Sequence, residues 1–127
     1  MLMEGPVRTN ELVLNVPLMS KARPRSIAGR SVPYMPPAYK KWKKEVRAQM
    51  AEWWVDEPLE LVYLVRMTFK GPQRQDLDNL LGAVLDAGND LIWKDDRVSV
   101  ISRLVGEHQK AKTTEQQIVL KLIYPDK

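Results

Sequence analysis

Residues 71–96 read GPQRQDLDNLLGAVLDAGNDLIWKDD, and the organisation of the chain follows from them. Gly71-Pro72 ends whatever precedes it, because proline cannot donate to a sheet ladder. Leu77, Leu80, Leu81, Val84 and Leu85 then recur at i, i+3, i+4, i+7 and i+8, the apolar stripe of a helix lying on a core. Gly88-Asn89 supplies a stop. Asp76 and Asp78 stand at the helix start, and Asp95 and Asp96 follow its end. Two residues two apart on a helix differ by about 200° around the axis. Asp76 and Asp78 therefore converge only if Asp76 is at or before the N-cap and Asp78 lies in the first turn. Taken alone, the pair has a plain explanation, since aspartates cap helices and suit the positive end of the dipole.

Upstream, Leu59, Leu61, Tyr63, Val65, Met67 and Phe69 alternate with Glu60, Val62, Leu64, Arg66 and Thr68. That predicts a central strand, apolar enough in its middle to be covered on both faces. Tyr39, Trp42, Val46, Met50 and Trp53 form a helical stripe that starts after Pro37. Leu12, Leu14 and Val16 predict a short strand ending at Pro17, after a loose tail over 1–10. Two more strands are expected near 98–105 and 117–124, with His108 in the polar turn between them. Trp93 reads as a packing residue at the edge of the acidic site. Trp53-Trp54 reads as the closure of the first helix against the sheet. The sum is an α+β fold, a single mixed β-sheet with two main helices packed on it, in one domain of 127 residues.

The net charge of +4 is unevenly spread. From Lys21 to Arg47 there are nine basic residues against the single acid Glu45, so the remainder of the chain is net negative. A basic half facing an acidic cluster suits a polyanion held over a metal site. The stretch from Ser20 to Pro37, broken by Pro24, Gly29, Pro33 and Pro36, reads as a basic surface loop. Absence of cysteine excludes disulfides and thiolate metal sites. No signal peptide or membrane span is visible, which points to a soluble, cytoplasmic protein. Asp86, near a helix C-terminus, opposes the dipole and so should have a specific partner, a salt bridge or hydrogen bond before a metal.

The run Asp76-Leu-Asp78-Asn79-Leu80, then Asp86-Ala87, then Trp93-Lys94-Asp95-Asp96, resembles the core signature of RusA-family Holliday junction resolvases. Arg23-Pro-Arg25, Tyr34-Met-Pro and the Tyr39/Lys40/Trp42 helix extend the likeness, which spans about residues 23–105. The resemblance implies a homodimeric endonuclease that cuts four-way DNA junctions with Mg²⁺ or Mn²⁺. By motif position it implies Asp76, Asp78 and Asp96 as catalytic metal ligands, with Asp95 as a secondary acid. The loop after the second helix is expected to return to the same strand end and complete that trio. For DNA contacts the expected residues are Arg23, Arg25 and Arg30, then Lys40, Lys43, Lys44, Lys70, Arg74 and Lys94. One departure matters: the family's lysine six residues after the first aspartate is Gly82 here. Lys70, Arg74 and Lys94 are the candidates to replace it. Two competing readings are a junction-binding protein that has lost cleavage and a different Mg²⁺-dependent phosphoryl-transfer enzyme.

Overall fold

A computed structural model describes residues 5–21 and 35–126. Its elements run β1 (Val7–Leu14), α1 (Pro37–Trp53), β2 (Leu64–Gly71), α2 (Leu77–Gly88), β3 (Leu104–Lys110), a 3-10 turn at Thr113–Glu115, and β4 (Gln117–Pro125). The four strands form one mixed sheet in the order β1-β4-β2-β3. β4 pairs antiparallel with β1 and with β2, while β2 and β3 run parallel. Parallel neighbours need a crossover. Here it is α2 and the segment after it.

Alternation in β2 and β4 places Val65, Met67 and Phe69 beside Ile118, Leu120 and Leu122 on one fully buried face. Both helices cover that face. α1 begins with proline at its first position and buries Tyr39, Trp42, Val46 and Met50. α2 buries Leu80, Ala83, Val84 and Ala87. Trp54 closes the far end of α1 edge-on to Tyr124, with ring centroids 5.4 Å apart, in keeping with the expected role of the Trp53-Trp54 pair.

Four expectations need correcting. β2 is covered on one face only: Arg66 is exposed on the other, and Leu64, Thr68 and Lys70 are half-buried there. Residues 59–62 join no ladder and make only isolated bridges, at Leu59 to Trp93 and Val62 to Ile101. β1 starts at Val7, inside the stretch read as a tail, because β4 is long enough to pair with it. β3 lies at 104–110 rather than 98–105, so His108 is a strand residue. Its Nε2 is 3.0 Å from the Gly71 carbonyl oxygen, which can only accept. Apolar periodicity did not separate Val98 from the strand that follows, and Val98 proves 89% exposed.

Candidate functional site at the two ends of helix α2

Asp76 occupies the N-cap of α2 with extended backbone (φ −75°, ψ 138°), yet its side chain makes no capping hydrogen bond. Asp78 sits in the first turn, and among the described residues its Oδ1 accepts only from the adjacent Asn79 N–H, at 2.9 Å. Both are exposed. The plain capping explanation therefore fails for Asp76, whose carboxylate does not satisfy the helix end. This position follows the C-terminal end of β2, where Gln75 Nε2 donates to the Leu18 carbonyl.

Asp95 and Asp96 lie elsewhere. Trp93, fully buried, packs its ring against Gly88, and its Nε1 donates to the Leu85 carbonyl and to Asn89 Oδ1. Lys94 N–H donates to Leu59 O, and Val62 N–H to Val100 O. The loop at 95–99 is thus pinned beside the start of β2. Asp95 is committed to that loop: Oδ1 accepts from Asp96 N–H at 2.7 Å, and Oδ2 pairs with Arg97 at 3.1 Å. The Asp96 carboxylate is exposed and makes no bond among the described residues. Trp93 as a packing residue is what the sequence led us to expect.

Asp76 and Asp78 stand at the start of α2 and Asp95 and Asp96 in the loop after it, and the structure does not gather the two pairs at one place. The loop after α2 meets the opposite end of β2 from the one expected. Between the two pairs runs α2, twelve residues and so on the order of 18 Å long. Among the described residues no group of three or more acids, histidines or cysteines lies close enough to hold a metal ion. A cleft of about 770 Å³ between Trp54, Glu60, Lys94 and Tyr124 is lined by none of these aspartates. A crossover helix that carries the chain back along the sheet delivers its next loop to the far end; the spacing of the acids alone does not carry that information.

The basic residues divide by task. Lys40 and Lys44 project from the solvent side of α1, and Arg74 is exposed just before α2. Lys70 is half-buried on the uncovered sheet face. Lys94 is bound to Glu60 at 2.9 Å. Arg47 caps α2 instead, its Nη1 donating to the carbonyls of Ala87 and Asn89. Arg23, Arg25 and Arg30 lie outside the described residues.

Asp86 has the specific partners expected of it. Tyr39 Oη donates to Asp86 Oδ2 at 2.7 Å, and Lys43 Nζ pairs with the same oxygen at 3.1 Å. Burial pushes the Asp86 carboxyl up. The Tyr39 and Lys43 hydrogen bonds, with the charges of Lys43 and Lys21, outweigh it and leave the group below its ordinary 3.8. Burial and the neighbouring carboxylate push the Tyr39 hydroxyl well up. A depressed carboxyl contributes stability that is complete above its unfolded value, about 3.9, and drains as pH falls through the folded value. Tyr39→Phe is expected to cost about 1–2 kcal/mol at pH 7, with a cost that shrinks as pH falls through the depressed folded value of Asp86. Urea unfolding across a pH series from 7 down into the acid range measures this, and a cost that stays constant down to acid unfolding would sever the link to Asp86.

A mixed sheet backed by two helices, a basic first helix and exposed carboxylates at both ends of the crossover helix make up a small α+β domain equipped for a polyanion. The chain belongs to the RusA endodeoxyribonuclease family, whose model matches residues 15–122; this is a nuclease family of Holliday junction resolvases. No curated protein matches it. None of the helices among the described residues is long and apolar enough to cross a membrane. The sequence reading overlooked one residue at this site, Lys21, whose side chain lies across Gly82. A glycine inside an otherwise strong helix was the available signal.

Proposed function

We propose that this chain is a Mg²⁺-dependent endonuclease that resolves four-way DNA junctions in recombination and repair. It acts as a two-fold homodimer whose metal sites are shared between subunits. The observation that carries this reading is the placement of the acid pairs at opposite ends of α2. A two-fold axis crossing α2 reverses the helix, so the Asp76/Asp78 end of one protomer meets the partner subunit's Asp96. An exposed aliphatic side chain accompanies each end: Leu77, between the two aspartates, is 38% exposed, and Val98, just past Asp96, is 89% exposed. A dimer seam of this kind covers both.

The donors suit the ion. Aspartate oxygens are hard ligands, and Mg²⁺ takes a few of them beside waters and substrate phosphates. Three convergent carboxylates repel one another without a cation. Bound Mg²⁺ supplies Lewis-acid stabilisation of charge building on the phosphoryl oxygens. For their part, the residues bind and orient. Asp95 fixes the loop that presents Asp96, the carboxylates at the start of α2 orient the attacking water, and Lys40, Lys44 and Arg74 hold flanking phosphates. Water adds to phosphorus in line with the departing 3′-oxygen and gives up a proton to a carboxylate at the start of α2. The 3′-oxygen leaves with its bond to phosphorus broken and takes a proton from solvent. Two sites related by a two-fold axis match the paired cuts that a two-fold junction requires.

Gly82, bare of the lysine that the resemblance leads one to expect, favours a second reading: a junction binder without cleavage. Labelled four-way junctions decide between them. Paired, symmetric nicks are expected with Mg²⁺, none with chelator, and roughly a thousandfold loss in Asp78→Asn. Binding without cutting in either Mg²⁺ or Mn²⁺ would leave only the binder.

A further inference from the structure

Gly82 is bare, but the space above it is filled. A Cβ built at Gly82 would stand 3.2 Å from Lys21 Cδ and 3.6 Å from its Cβ. Lys21 is tied to the same helix by its main chain, whose N–H donates to the Asn79 carbonyl at 2.9 Å. Its charge also reaches Asp86. Asn79, Gly82 and Asp86 follow one another at spacings of three and four, so they form a single stripe along α2. The Lys21 stem lies along that stripe, and Lys43 reaches Asp86 from α1. Two lysines flank one carboxylate, itself held by the buried Tyr39 hydroxyl. Lys21 is exposed and closes no ion pair among the described residues. A cation with a fixed stem, a surplus positive charge and an open head is equipped to take an anion.

We propose that Lys21 and Lys43, oriented by Asp86 on the seam between α1 and α2, form a phosphodiester-binding site, with Gly82 kept bare so that the Lys21 stem can cross the helix. The ligand is a DNA backbone phosphate, so the site rests on the junction-nuclease reading and adds to it where the positive charge above Gly82 comes from. Lys21 acts as a positioning residue that holds the strand on the helix.

The test is fluorescence anisotropy with a labelled synthetic four-way junction in chelator, across a salt series, using the full chain. Lys21→Ala is expected to weaken binding roughly fivefold. It should also reduce the slope of log affinity against log salt by about one, the signature of one lost phosphate contact. Gly82→Ala should weaken binding in the wild type, by crowding the Lys21 stem, and do nothing further in Lys21→Ala. Gly82→Lys placed in the Lys21→Ala background grows a lysine into the vacated groove and should restore both affinity and slope. Should Lys21→Ala lose thermal stability yet bind with unchanged affinity and slope, Lys21 is only a partner of Asp86 and the site is overturned. Failure of Gly82→Lys to restore binding overturns it as well. A wild type that binds no junction overturns both this site and the function it rests on, whereas normal cleavage with an indifferent Lys21→Ala removes the site alone.

Discussion

Two inactive variants, Asp76→Asn/Asp78→Asn and Asp96→Asn, should regain junction cleavage when unfolded together and refolded as a mixture. In one chain the two acid pairs flank α2, a helix of twelve residues and so about 18 Å long. The proposed shared site would take Asp76 and Asp78 from one subunit and Asp96 from the other. In a heterodimer of the variants, one site collects every substitution and the other collects none. Random pairing makes about half of the dimers mixed, with one intact site in each, so about a quarter of wild-type nicking should return. Against single variants reduced roughly a thousandfold, that is a recovery of more than two orders of magnitude. The product should change too, to a single nick in place of paired cuts. Were all three acids supplied by one chain, every chain in the mixture would carry a broken site and nothing would return. An inactive mixture that contains mixed dimers would therefore end the shared-site reading, while cleavage by the wild type would still stand.

How much of this was legible in the sequence follows from the range of each signal. The stripe Leu77, Leu80, Leu81, Val84 and Leu85 marked α2 because its period is local. Asp86 announced a partner because a carboxylate near a helix C-terminus is unfavourable wherever the helix lies, and Tyr39 with Lys43 is that partner. The destination of the loop at 95–99 depends on contacts no local pattern encodes: Lys94 to Leu59 and Val62 to Val100. β2 looked covered on both faces because Leu64 and Val62 supply apolar side chains out of phase with Val65 and Met67. Val62 is buried, but in an isolated bridge outside the sheet. Gly82 signals something locally without naming its partner. Its cost of about 1 kcal/mol relative to alanine implies a compensating close approach, but the approaching side chain is that of Lys21, some sixty positions away in sequence.

Gly88 raises the same question with a larger stake, and Trp93→Ala and Gly88→Ala should interact strongly. As a helix stop, Gly88 would be expected to adopt the left-handed conformation, but positive φ occurs instead at Asp90, at 62°. What Gly88 provides is room: a Cβ there would lie 2.3 Å from Trp93 Cζ2 and 2.7 Å from Cε2. Those atoms belong to a rigid ring that is fully buried and held by two hydrogen bonds from Nε1, so it has little freedom to give way. Gly88→Ala should therefore destabilise by about 2 kcal/mol, the overpacking cost less the helix propensity gained. Trp93→Ala, which empties a large buried site, should cost about 4 kcal/mol. Once the ring is gone the clash goes with it, and Gly88→Ala in the Trp93→Ala background should be neutral or slightly stabilising. Urea midpoints at constant m-value give the coupling energy. Additive costs would mean that the glycine is needed for something other than the indole. The cycle also reaches the chemistry, because Trp93 is the anchor from which Lys94, Asp95 and Asp96 depart. At a temperature where Gly88→Ala is still fully folded, its cleavage should fall further than its junction binding, since the displaced ring moves the Asp96 loop and leaves α1 untouched.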